Sequence, residues 1–159
     1  MKILNKKIAI LIFFLILCLI GIAWSQGTII LPKTGQTISY AKGDDGDLQI
    51  GVDWPIPRFI DNRDGTITDS LTGLMWTNNA NLIGRITTYQ EALNYVSGMN
   101  TGTYQNFGYT DWRMPNIVEI ESLINAGEAN NAIWLNSQGF TNVPIEPWSN
   151  NFYWSSSGG

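Results

Sequence analysis

The chain has 159 residues, nine of them Lys or Arg against thirteen Asp or Glu, a formal −4, and no histidine. That length holds one domain plus a targeting segment rather than several domains. The acidic balance, without a basic stripe, argues against a nucleic-acid partner, and the missing imidazole removes the commonest general base and transition-metal ligand.

Residues 1–25 read as an export signal. Lys2, Lys6 and Lys7 precede an unbroken apolar or Gly run from Ile8 to Ala23. Ala23-Trp24-Ser25 then places small residues at the −3 and −1 positions of a cleavage site before Gln26. The alternative is an uncleaved anchor, and the run lies near the short end of the roughly 17–25 residues that span a bilayer. Cys18, the only cysteine, leaves with the signal. Residues 26–159 then have no disulfide, no thiolate nucleophile and no Cys-ligated zinc. They keep six basic residues against all thirteen acids, a formal −7 (6 − 13). The expected location is extracytoplasmic: secreted, periplasmic or cell surface. Membrane contact is expected only through an uncleaved signal.

Residues 26–57 form a polar leader expected to pack in part on the domain that follows, 58–159. Gly43-Asp44-Asp45-Gly46-Asp47 is a turn cluster within it, and Pro55 and Pro57 punctuate its end.

Arg58 to Trp76 predicts short antiparallel strands. Phe59-Ile60 begins one, Asn62-Arg63-Asp64-Gly65 supplies a turn with Asp-Gly suited to positive φ, and Thr66-Ile67-Thr68-Asp69 alternates as a half-buried strand does. Ser70-Leu71-Thr72-Gly73 turns again, and Leu74-Met75-Trp76 predicts a buried strand.

Thr88-Tyr89-Gln90-Glu91 has capping-box form, with Ala92, Leu93, Val96 and Met99 following at helical spacing. A second helix is predicted from Asn116 to Ala126. Asn116 caps it, Glu119 stands three on, Ile117, Ile120, Leu123 and Ile124 form its apolar face, and Gly127 stops it. Glu128 to Phe152 predicts a long Asn-rich loop carrying Trp134, Phe140, Trp148 and Phe152. Tyr153-Trp154-Ser155-Ser156-Ser157 reads as a closing strand.

Several blocks together carry a family resemblance. They are Phe59 to Asp69, Leu71-Thr72-Gly73-Leu74-Met75-Trp76, Gln90-Glu91-Ala92-Leu93, Asp111-Trp112-Arg113-Met114-Pro115, Glu119 to Leu123 and Tyr153-Trp154-Ser155-Ser156. In this order they resemble the Lcl C-terminal domain family, named for the end domain of a Legionella collagen-like adhesin. The resemblance runs from about Thr34 to Ser157. It implies an α+β, C-type-lectin-like fold: two helices packed on a small twisted antiparallel sheet, with long loops on one side. It also implies extracytoplasmic proteins, some of them adhesins for sulfated polysaccharides. The formylglycine-generating enzymes share that fold but need active-site cysteines, which residues 26–159 lack.

Two departures follow. Family domains continue past Tyr-Trp-Ser-Ser with further strands, so the domain is expected to be incomplete at its C-terminus or to leave a sheet edge open. A binder of sulfated polymers needs clustered basic residues, and this domain is acidic.

Candidate site residues divide between packing and recognition. Trp112 is expected to fill the core where its loop meets the second helix, with Arg113 paired to Asp111 or to an acid of that helix. The functional alternative is a sugar-stacking Trp with an Arg donor beside it. Tyr153 to Ser157 reads first as structural, because Ser needs an adjacent base to become a nucleophile. Trp134 and Trp148, with Asn150, sit in the long loop, where rigid scaffolds tend to carry function. The ligand-binding set is therefore Trp112, Arg113, Trp134, Trp148, Asn150 and Trp154. Asp61, Asp64 and Asp69 miss EF-hand spacing, since position three from Asp61 is Arg63. No catalytic set, metal site or cofactor is expected. Glu119 and Glu121 point to different sides of a helix and make a poor acid/base pair.

The expected function is a surface or envelope recognition and adhesion module binding a polysaccharide or surface glycan through loop aromatics and amides. The alternatives are a self-associating or protein-binding domain and, last, a carboxylate-dependent hydrolase.

Overall fold

Three short strands build the sheet, each bounded by the turn residues that the sequence supplies. The computed structural model describes residues 31–85, 87–145 and 153–157. The signal-like segment 1–25, with Cys18, lies outside the described residues, as do Trp148, Asn150 and Phe152. Leu31–Gly159 forms one compact unit.

Strands β1 (Phe59–Asp61), β2 (Thr66–Asp69) and β3 (Met75–Thr77) pair antiparallel in that order. Phe59 stands opposite Asp69, and Ile67 opposite Trp76. The Asp64-Gly65 turn closes the first hairpin with Gly65 at φ 94°. A Cβ there would lie 2.6 Å from the Phe107 ring, so backbone and neighbour both require glycine.

Burial along the strands departs from the expectation. Alternation predicted a half-buried β2, yet Thr66, Ile67 and Asp69 are all buried, and Met75 of the predicted buried strand is 38% exposed. Thr66 tolerates burial because its hydroxyl accepts from Asn62 Nδ2 at 2.9 Å and donates to Asp64 Oδ1 at 2.6 Å. A buried polar group that is hydrogen-bonded costs little.

Four helices are described where two were predicted. Helix α1 (Asp45–Leu48) lies in the Asp-Gly cluster read as a turn, with Asp44 as its cap. Helix α2 (Tyr89–Asn100) and helix α3 (Ile117–Glu121) both start in complete capping boxes, Thr88 with Glu91 and Asn116 with Glu119. Helix α4 (Asn131–Ser137) interrupts the stretch expected to be loop, capped by Asn130.

Helix α3 ends five residues short of the predicted Ala126. In a continued helix the Ala126 N–H would bond the Ser122 carbonyl. That carbonyl instead accepts from Arg58 Nη2 at 2.6 Å, and Ala126 N–H donates to Thr34 O at 2.9 Å. Two tertiary bonds thus outcompete one helical turn, and the predicted stop at Gly127 plays no part.

The second of those bonds also docks the leader. Lys33 N–H donates to Val52 O at 2.9 Å, and Trp54 Nε1 donates to Lys33 O at 2.7 Å. Trp54 then meets the Trp134 ring at 5.8 Å.

The core is Phe59, Ile67 and Phe140, with Trp76, Leu123, Trp134, Leu135 and Val143 packed around it. Phe59 stands edge-on to Phe140 at 5.2 Å and to Trp134 at 5.7 Å, the arrangement aromatic quadrupoles favour. Beside this cluster Arg58 is 5% exposed. Its Nε and Nη2 donate to the two carboxylate oxygens of Asp69, each at 3.0 Å, and its guanidinium lies 4.3 Å from the Trp54 ring centroid.

Candidate functional site

The Trp-Arg block and the Tyr-Trp-Ser block meet in space. Ser156 N–H donates to Pro115 O at 2.8 Å, and Ile117 N–H donates to Ser157 Oγ at 2.9 Å. Trp154 Nε1 reaches the other way, donating to Thr87 O at 2.9 Å, while its ring stands edge-on to Tyr89 at 5.7 Å. Residues 153–157 therefore tie the start of α3 to the start of α2. They do so as an irregular segment ending in a turn, not as the predicted strand.

Trp112 is fixed from the loop side rather than by the second helix. Its N–H donates to Asn100 Oδ1 at 2.8 Å, Asn100 Nδ2 returns a bond to Trp112 O at 2.7 Å, and its Nε1 donates to Asn106 O at 2.8 Å. Phe107 and Tyr109 stand edge-on to its ring at 6.1 and 6.0 Å. The last residue of α2 thus sets the height of the Trp112 ring, which is half-buried.

Arg113 pairs with an acid of the following helix, as the sequence implied. Its two Nη atoms donate to the two oxygens of Glu119 at 2.7 and 2.5 Å. Glu119 also accepts from Asn116 N–H at 2.9 Å. Arg113 first, and that backbone donor second, hold the Glu119 carboxyl down at about 2 from an ordinary 4.5. The guanidinium is therefore neutralised where it stands. Asp111, two residues earlier, is exposed and has no hydrogen-bond or ion-pair partner among the described residues. Tyr109 donates its hydroxyl to Asp64 at 3.1 Å. Thr66 foremost, and then Tyr109, lower the Asp64 pKa, and Asp64 in turn raises that of Tyr109.

Tyr109, Asp111, Trp112, Arg113 and Glu119 line a groove of about 770 Å³ between β3 and the helices. Its lining also includes Tyr153 and Trp154, with Trp112 held at the last residue of α2 and Trp154 at its start. Met75, Val96, Met99, Ile120, Leu135 and Phe140 are among its apolar walls, and Thr77, Asn79, Glu119 and Asn131 are among its polar ones. Trp76 also lines it, and its buried Nε1 has no hydrogen-bond partner among the described residues. Trp154 is 47% and Tyr153 51% exposed.

Of the six predicted site residues, Trp112, Arg113 and Trp154 line the groove. Trp134 also lies in the described part, but its ring packs against Trp54 and Phe59 beside the core. Trp148 and Asn150 lie outside it. Sequence reasoning did not single out Tyr109, Asp111 or Tyr153 as ligand contacts. Their adjacency to Trp112 and Trp154 was the available signal. Among the described residues no group of three or more Cys, Asp or Glu side chains is placed to hold a metal ion. Asp61, Asp64 and Asp69 each serve separate local partners.

The Lcl C-terminal domain model matches residues 65–158, more than half of the chain, from the first hairpin turn through the Tyr-Trp-Ser block. The chain belongs to the Lcl C-terminal domain family. The Lcl C-terminal domain match spans both blocks that meet at the groove. No curated protein and no solved structure matches the chain.

Proposed function

We propose that this Lcl C-terminal domain is an exported surface or envelope recognition module of adhesin type, binding carbohydrate along the aromatic residues of the groove. The body is proposed to be C-type-lectin-like. Family membership supports the adhesin-like role. The observation that carries the carbohydrate reading is that Trp112, Trp154, Tyr109 and Tyr153 line the same groove as Asp111 and Arg113. Sugar rings present apolar C–H faces that stack on aromatic rings, and hydroxyls that need charged or amide partners.

Export rests on residues 1–25, with their basic start, apolar run and cleavage-site pattern. Among the described residues no helix is long and apolar enough to cross a membrane.

We read the site as binding rather than catalytic. Glu119, the better-placed acid of α3, is held ionised by Arg113 and by its capping role. A carboxylate so committed is a poor proton donor at neutral pH. Ser155 to Ser157 have no imidazole to activate them.

The test is a glycan array probed with the folded full-length chain, followed by Trp154→Ala. Binding to at least one glycan class, lost in the variant, supports the reading. Silence across neutral, acidic and sulfated glycans ends it.

A second reading is protein association, including a second copy of the chain. It is favoured by the apolar part of the groove beside β3, whose outer edge is unpaired among the described strands. Sedimentation at high concentration tests it: a clean monomer removes the self-associating version.

A further inference from the structure

We infer that the free edge of β3 takes an extended peptide of another protein, which adds to the sheet as a further strand inside the groove. This rests on the protein-association reading above and commits it to a backbone-paired strand rather than to a second copy of the chain.

The register of the sheet decides which backbone groups are free. Asp69 N–H donates to Leu74 O and Asn78 N–H to Gly65 O, each at 2.9 Å. Between these bonds Trp76 stands opposite Ile67, so in the antiparallel pattern those two residues exchange N–H and C=O bonds with each other. The N–H and C=O groups of Met75 and Thr77 then turn away from β2. None of them has a partner among the described residues. Beyond β3 the chain is already paired: Thr141 N–H donates to Asn78 O at 2.7 Å, and Ala80 N–H donates to Thr141 O at 2.9 Å. The free groups are therefore confined to one short stretch of edge.

That edge opens into the groove. Side chains alternate faces along a strand, so Trp76, packed against the core, points opposite to Met75 and Thr77. All three line the groove. A cavity that touches both faces of a strand passes around its edge. A peptide laid there forms main-chain bonds with Met75 and Thr77 and places alternate side chains on the two faces.

The walls exclude a second copy as the added strand. Val96 and Met99 of α2, Ile120 of α3 and Leu135 of α4 line the groove into which the edge opens. A second copy carries its own β3 edge in the same setting, and those walls keep two such edges apart. A single extended chain needs only about 4.8 Å of room in the pairing direction. Charge narrows the occupant further. Arg113 is held by both oxygens of Glu119, and residues 26–159 carry six bases against thirteen acids. A peptide with basic residues flanking its apolar strand is drawn in, and an acidic one is turned away.

The experiment selects a displayed library of random short peptides on the folded full-length chain. The tightest binder is then synthesised with a single N-methyl group at each position in turn. In an added strand the N–H groups of alternate residues face β3. Methylation at those residues should weaken binding about tenfold or more, the cost of a lost hydrogen bond, and at the intervening residues less than about threefold. The bound peptide should slow amide hydrogen exchange at Met75 and Thr77 and leave Trp76, already paired with Ile67, unchanged. A form flanked by Lys should bind more tightly than one flanked by Glu. A binder weakened equally at every methylated position, or one that leaves the Met75 and Thr77 amides exchanging as before, overturns the inference while protein association stands. Tighter binding of the Glu-flanked form overturns the assignment of charge. A library that yields no binder overturns the inference, and sedimentation still decides self-association separately.

Discussion

The guanidinium of Arg58 and the carboxylate of Asp69 meet in the interior through two 3.0 Å hydrogen bonds, with side-chain exposures of 4% and 0%. Each partner then reaches further. Asp69 accepts from Leu71 N–H and Thr72 Oγ1, holding the turn between β2 and β3. Arg58 reaches the Ser122 carbonyl and so fixes the end of α3. One ion pair thus joins the sheet, its turn and a helix. Removing either partner strands the other as an uncompensated buried charge, which costs about 3–5 kcal/mol. Asp69→Ala and Arg58→Ala should each lose about that much, read by denaturant titration. The double variant should lose well under the sum of the two. A loss below about 1 kcal/mol for either single change would show that the pair is not a brace.

The leader should behave as part of the domain. Trp54 joins Lys33, the Trp134 ring and the Arg58 guanidinium. Truncating a buried Trp costs about 3–5 kcal/mol, and Trp54 is half-buried, so Trp54→Ala should cost about 2–3 kcal/mol. Gly35→Ala should also destabilise, because a Cβ there would lie 2.2 Å from Asn125 Oδ1 and φ is 92°. Thermal melts of both variants check this. Unchanged midpoints would mean that residues 31–57 are only loosely attached.

Those two regions also mark where the sequence stopped being legible. The hairpin turn and both capping boxes were readable because each depends on residues within four positions of one another. The end of α3 was not, because it depends on Arg58 and Thr34, sixty-four and ninety-two residues before Ser122 and Ala126 (122 − 58; 126 − 34). Helix α4 was missed because Asn-rich sequence reads as loop, although Asn130 as cap and Gly139 at φ 102° just beyond its end were local signals. The Arg58–Asp69 pair left no mark in periodicity. At the site, the Trp112–Arg113 and Trp154 blocks were visible as motifs. Their meeting through Pro115 and Ser156 depends on chain reversal that no spacing encodes.

Acid should weaken the fold through the two capping glutamates. Hydrogen bonds, from Arg85 first and then the Thr88 N–H and hydroxyls, hold the Glu91 carboxyl at about 2 from 4.5. Arg113 and the Asn116 N–H do the same for Glu119. With folded pKa values below the unfolded ones, the unfolded chain binds more protons between about pH 4.5 and 2. Stability is then fully present above 4.5 and drains away as pH falls toward 2. Glu91→Gln and Glu119→Gln should each be less stable at neutral pH and show a shallower decline across that window. Equal slopes in wild type and variants would contradict the assignment.

The most direct test of the recognition site watches the indole N–H resonances of the folded chain by NMR while a binding glycan is added. The account predicts that the Trp112 and Trp154 signals move and saturate together, while those of Trp54 and Trp134, which pack beside the core, hold still. Movement confined to Trp54 and Trp134, or a glycan that binds without shifting Trp112 or Trp154, would contradict it.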